Sequence, residues 1–110
     1  MKLIKAVIRP NKVDEVRQAL EKASLSGMTV TEVRGHGHQK GHKAVYRGRE
    51  YDVSLIPKTM IEMVVGDDVV DEVLRIVMQS ARTGDIGDGR IFVLDIEEGH
   101  NIRTGLRDFQ

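Results

Sequence analysis

"KLIKAVIRPNKVDEVRQALEKA", residues 2–23, decides the fold, because its apolar period changes from two to 3.6 partway along. From Lys2 to Arg9, the residues Ile4, Ala6 and Ile8 alternate with Leu3, Lys5, Val7 and Arg9, as in a strand with one face in a core. Pro10 closes that strand, since it has no N–H to continue a ladder. Asn11, with Asp14 three residues later, offers oxygens to the first turn of a helix. Val13, Val16, Leu20 and Ala23 form its apolar stripe, and Gly27 follows as the stop. Met28–Arg34, rich in β-branched residues, reads as a second strand.

The same order returns downstream. Met60–Val65 reads as a third strand. Asp67 and Asp68 then put carboxylates at the start of a second helix, with Val70, Val73, Leu74, Val77 and Ala81 on one side and Thr83 and Gly84 at its end. Ile91–Ile96 is the fourth strand, Ile91, Val93 and Asp95 alternating with Phe92, Leu94 and Ile96. The order β-α-β, long loop, β-α-β predicts an α+β fold, the ferredoxin-like split βαβ two-layer sandwich, as a single domain over residues 1–110. Both helices cover one sheet face. The other carries Leu3, Val7, Met60 and Val64 among charges, a mixture that suits a subunit contact better than water and predicts a homo-oligomer.

Composition sets the outer limits. A chain of 110 residues has room for one domain, and 40% hydrophobic with 31% charged residues places it among globular rather than disordered chains. Seventeen basic residues balance seventeen acidic ones, so no overall field draws in nucleic acid or an anionic membrane, and an anion site must be local. The absence of cysteine removes disulfides, thiolate metal sites and cysteine nucleophiles. The opening MKLIKAVIRP carries Lys5 and Arg9 inside its apolar run without a cleavage site, and no stretch approaches the ~20 apolar residues of a membrane span, so a cytoplasmic location is expected.

Two stretches remain. Residues 36–55, between Gly35 and Pro57, have no helical or strand period, and loops beyond about 12–15 residues in compact domains are commonly functional. This loop holds Lys40, Lys43, Arg47 and Arg49 against Glu50 and Asp52, and it carries Tyr46 and Tyr51, the composition of a partner-binding loop. His36 and His38 at alternate positions, with His42 nearby, can be drawn as a zinc or copper site, but no carboxylate or cysteine completes a ligand set at a recognised spacing. The second stretch is "TGDIGDGR", residues 83–90. Gly84 fits a helix end, whereas Gly87 and Gly89 exceed what a short turn needs and can let backbone amides converge on a phosphate, with Arg82 or Arg90 adding charge. A structural turn and an anion cradle both fit. No serine, threonine or carboxylate pair is matched with a plausible base, which argues for a binding protein and against an enzyme.

With these stretches in hand, the chain resembles the PII nitrogen-regulatory signal-transduction protein family along essentially its whole length. The resemblance is carried by "GMTVTEVRGHGHQKGH" (27–42), "YRGREY" (46–51), "LIPK" (55–58), "TGDIGDGRIFV" (83–93) and "IRTG" (102–105). It implies a homotrimer that binds ATP or ADP in clefts between subunits. One subunit would supply Val7 or Ile8, Gly35, His36, Gly37, His38, Gln39, Val64, Gly87, Asp88, Gly89 and Arg90, and the next would supply Gly27, Met28, Thr29 and Arg103. It further implies 2-oxoglutarate beside Mg-ATP, with Gln39 on the Mg2+, Lys58 on the keto acid's carboxylate, and Gln39, Lys40, Gly41 and Gly87 nearby. By the same likeness Arg47 enters the exit pore of an ammonium transporter, Tyr51 is a nucleotidylation site, and glutamine synthetase regulation is a second outlet. Contact with the membrane would then be indirect, through the transporter. His38 and Asn101 stand where the family usually has arginine, and Asp85 and Arg90 where it often has lysine. These departures, with His36, support an alternative: a divergent PII-like regulator tuned to a different metabolite or metal.

Overall fold

The computed structural model describes residues 1–36, 43–46, 49–52 and 55–108. Strand β1 (Lys2–Ile8) buries Ile4, Ala6 and Ile8 and leaves the intervening positions half-buried, as its alternation requires. A 3-10 turn, Pro10–Lys12, leads into helix α1 (Val13–Lys22), which buries Val16 and Leu20. Strand β2 (Thr29–Gly35) follows, then β3 (Lys43–Tyr46), β4 (Arg49–Asp52) and β5 (Ile56–Val65). A second 3-10 turn, Asp67–Val69, opens helix α2 (Val70–Ala81), and β6 (Gly89–Asp95), β7 (Gly99–His100) and β8 (Arg107–Asp108) complete the described chain.

Four strands form one sheet in the order β2-β5-β1-β6, with every neighbouring pair antiparallel. Each βαβ half therefore places its two strands apart and lets a strand of the other half lie between them, which is the split βαβ arrangement read from the sequence. The core lies between helices and sheet: Ile4, Ala6, Ile8, Ile61, Met63 and Val65 meet Val16, Leu20, Val73, Ile76, Val77 and Ala81. Each fully buried Ile, Leu or Val among them contributes roughly 1.5–3 kcal/mol of transfer free energy. Among the described residues no helix is long and apolar enough to cross a membrane.

Among the described residues, nothing covers the opposite sheet face. Register aligns Val64, Leu3 and Leu94 in one row and Glu62, Lys5 and Phe92 in another, and Phe92 and Leu94 are 51% and 44% exposed. Leu3, Val7, Met60 and Val64 fall on this face as expected, and Phe92 and Leu94 extend the apolar area.

Several local expectations are corrected. Neither Asn11 nor Asp14 caps α1: no side-chain cap bond forms, because the 3-10 turn already ties the Lys12 amide to the Arg9 carbonyl at 3.0 Å, while Asp14 faces Arg17. Helix α1 also stops before Gly27. Ser24 takes the left-handed conformation at φ 59°, the Ser24 amide donates to the Glu21 carbonyl and the Leu25 amide to the Leu20 carbonyl, a Schellman closure built on serine. Asp67 and Asp68 do stand in the first turn leading into α2, as expected, and Asp67 there accepts from the Met1 ammonium at 2.6 Å. The long loop shows no strand period, yet β3 and β4 pair antiparallel within it, Lys43 with Asp52 and Tyr46 with Arg49. Four-residue strands are too short to display a period, so composition alone carried the signal there. Strand β5 begins at Ile56, four residues before the expected start, because Pro57 and Lys58 hide the alternation.

Candidate functional site

The glycine turn joins α2 to β6. Asp88 organises it: its carboxylate accepts from the Thr83 hydroxyl at 2.5 Å, the Thr83 amide at 2.9 Å and the Gly84 amide at 2.8 Å. Arg9 adds its Nε at 3.1 Å and directs Nη2 to the Ile86 carbonyl at 3.0 Å. These bonds, led by the Thr83 hydroxyl, hold the Asp88 carboxyl well below the usual carboxylate range despite partial burial. The Thr83 hydroxyl in turn accepts from the Asp85 amide at 3.1 Å. Gly87 and Gly89 have φ of 105° and 110°, values only glycine adopts without strain, and a Cβ on Gly89 would collide with the Val7 carbonyl.

The amides of residues 83–85 are thus used inside the turn, whereas those of Ile86, Gly87 and Asp88 make no hydrogen bond to any described residue. Three consecutive free amides next to left-handed glycines are the donor set of an anion nest. Lys58, on the adjoining β5, donates to the Gly87 carbonyl at 2.5 Å. Its pKa is lowered, first by burial and then by the neighbouring Arg9 charge, with Asp88 opposing.

Around this turn opens a cavity of about 450 Å³. It brings together Val7, Gly35, His36, Lys58, Gly87, Asp88, Gly89 and Arg90, along with Ile56, Asp85, Ile86 and Phe92. The convergence follows from register: Gly35 lies opposite Ile56, and Val7 opposite both Met60 and Arg90, so the ends of four strands meet at one edge of the uncovered face. Other expected residues lie elsewhere. Gly27 and Met28 border a separate recess of about 220 Å³ beside Leu20 and Leu25, and Thr29 starts β2, about 20 Å along the strand from Gly35 at ~3.3 Å per residue. Val64 sits opposite Leu3, outside the cavity. Arg103 is in the turn between β7 and β8, where Asn101 accepts from the Thr104 amide at 3.1 Å and so serves the turn itself. Gly37, His38, Gln39, Lys40, Gly41 and Arg47 lie outside the described residues, as does the side chain of Tyr51, which pairs with Ala44 through β4.

Two members of the cluster escaped the sequence reading. By alternation alone Arg9 falls on the outer strand face with Lys5, and Thr83 reads as a helix stop. The signal for Arg9 is the antiparallel register of β1 with β6, in which Ile8 opposite Gly89 puts position 9 against position 88, whereas Thr83 reaches Asp88 within the turn itself.

The family model described as "Nitrogen regulatory protein P-II" matches residues 1–106. The chain is 53% identical over 105 residues to the nitrogen regulatory protein P-II of Bradyrhizobium diazoefficiens, covering 96% of this chain and 94% of that one. It is 54% identical over 105 residues to that of Mesorhizobium japonicum, with the same coverage, and 53% identical over 108 residues to nitrogen regulatory protein P-II 1 of Escherichia coli, covering 98% and 96%. The match runs through both βαβ halves, the long loop and the glycine turn, and the chain therefore belongs to the nitrogen regulatory protein P-II family.

Proposed function

We propose that this P-II protein is a homotrimeric cytoplasmic sensor of ATP, ADP and 2-oxoglutarate that controls nitrogen-assimilation targets through residues 36–55. As a P-II protein it is a signalling regulator in nitrogen metabolism and not an enzyme. One observation carries the ligand reading: Ile86, Gly87 and Asp88, whose amides have no partner among the described residues, border the same cavity as Lys58 and Arg90. A polyphosphate suits the amides and Arg90, and a carboxylate suits the Lys58 ammonium. For the acid to bind there, Lys58 exchanges the Gly87 carbonyl for the ligand, which ties occupancy to the turn. Gly27, Met28, Thr29 and Arg103, none of which lines the cavity within one chain, reach it from a neighbouring subunit, and the apolar sheet face supports that assembly.

Signalling then follows if ATP with 2-oxoglutarate favours one form of the loop and ADP another, since a ligand shifts an equilibrium by its differential affinity. The targets in this reading are an ammonium transporter, met by Arg47, and glutamine synthetase regulation, with Tyr51 open to nucleotidylation. Gln39 is the residue proposed for Mg2+. Calorimetric titration with ATP, ADP and AMP, each with and without Mg2+ and 2-oxoglutarate, tests it. Keto-acid binding only alongside Mg-ATP is the expected result; zinc or copper binding without nucleotide would favour the divergent regulator instead.

A further inference from the structure

Three successive acceptors of the glycine turn are each met by a cation. The Ile86 carbonyl and the Asp88 carboxylate are taken by the two ends of one guanidinium, that of Arg9, and the Gly87 carbonyl between them by Lys58. The Arg9–Asp88 pair is partly enclosed, its side chains 22% and 23% exposed, unlike the open surface pairs of α1. Register explains how it forms: residues 8 and 89 are partners, so Arg9 leaves β1 directly against Asp88. A lysine at this position would offer a compact charge with freely rotating donors in place of the rigid planar fork that meets both acceptors here.

We propose that Arg9 is a positioning residue for anion binding: by bridging the Asp88 carboxylate and the Ile86 carbonyl it locks the glycine turn, keeps the amides of residues 86–88 unpaired toward the cavity, and neutralises the carboxylate beside them. With the turn locked beforehand, binding does not bear the cost of ordering it. The affinity arm of this inference rests on the phosphate reading above; the turn arm does not.

Arg9→Gln, Arg9→Lys and Asp88→Asn, each in the full chain, test it. Amide hydrogen exchange of the ligand-free proteins reads the turn directly, ATP titration reads its use, and urea unfolding checks the fold. Arg9→Gln is expected to speed exchange at Thr83 and Gly84 about tenfold and to weaken ATP by about tenfold, with the urea midpoint nearly unchanged. Arg9→Lys, which keeps the charge but loses the fork, is expected to lose several-fold in affinity and to exchange faster as well. Combining Arg9→Gln with Asp88→Asn is expected to weaken ATP by less than the product of the single effects, because the two residues act as one unit. Wild-type affinity in Arg9→Lys would reduce the residue to a mere charge and overturn the proposal, as would an unchanged turn in Arg9→Gln. If the wild-type protein ignores ATP, the phosphate reading fails, and exchange at Thr83 and Gly84 still decides whether Arg9 sets the turn.

Discussion

Single residues carry more of this structure than their chemistry suggests. Ser24 closes α1 in a conformation that costs a non-glycine residue roughly 1 kcal/mol, so Ser24→Gly is expected to raise stability by about that amount in urea unfolding. Gly89 is the reverse case. Its φ of 110° and its closeness to the Val7 carbonyl exclude any Cβ, and Gly89→Ala is expected to destabilise by roughly 2–4 kcal/mol or to displace β6 from β1, read as loss of amide protection along both strands. Asp88 sets a pH dependence. Because its folded pKa lies below its unfolded value, its contribution to stability is complete above the ordinary carboxylate range and is lost as pH falls below about 4. Unfolding free energy measured from pH 6 to pH 2 should fall less steeply in Asp88→Asn than in the wild type; identical slopes would remove Asp88 from the acid response.

Among the elements, the helices were legible because their stripes are long. Val13, Val16 and Leu20 on α1 and Val73, Val77 and Ala81 on α2 repeat often enough to fix both type and buried face, and all six pack in the core or against it. Leu20 is nearly fully buried, so Leu20→Ala is expected to cost about 3 kcal/mol, while Glu21→Ala on the exposed side should change stability by less than about 1 kcal/mol. Ends were less legible than interiors. Capping depends on which amides remain unpaired, and the 3-10 turns before both helices altered that inventory. The β3–β4 hairpin was illegible for a different reason: pairing between two short strands is a contact, not a period.

At the scale of the whole molecule, the uncovered sheet face and the cavity form one question. The face presents rows running from Val64 through Leu3 to Leu94, and the cavity opens at its edge. A second and third copy seated there would bury both. If the proposed trimer forms, Leu94→Lys is expected to convert it to monomers in light scattering at micromolar concentration, and to weaken ATP with it if a neighbouring subunit completes the site. A wild-type protein that scatters as a monomer would separate this chain from the proposed assembly.

The two βαβ halves, the buried faces of their helices and strands, and the family were contained in the sequence, because side-chain periodicity and local motifs are properties of neighbours along the chain. The glycine turn was visible there as composition, with its use left open. Only the tertiary structure decided that Arg9, nearly eighty residues from the turn, bridges it, that Asp88 serves the turn internally, and that Lys58 answers the Gly87 carbonyl. Those contacts depend on the register of β1 between β5 and β6, which is fixed when the strands pair and the core closes on one face of the sheet.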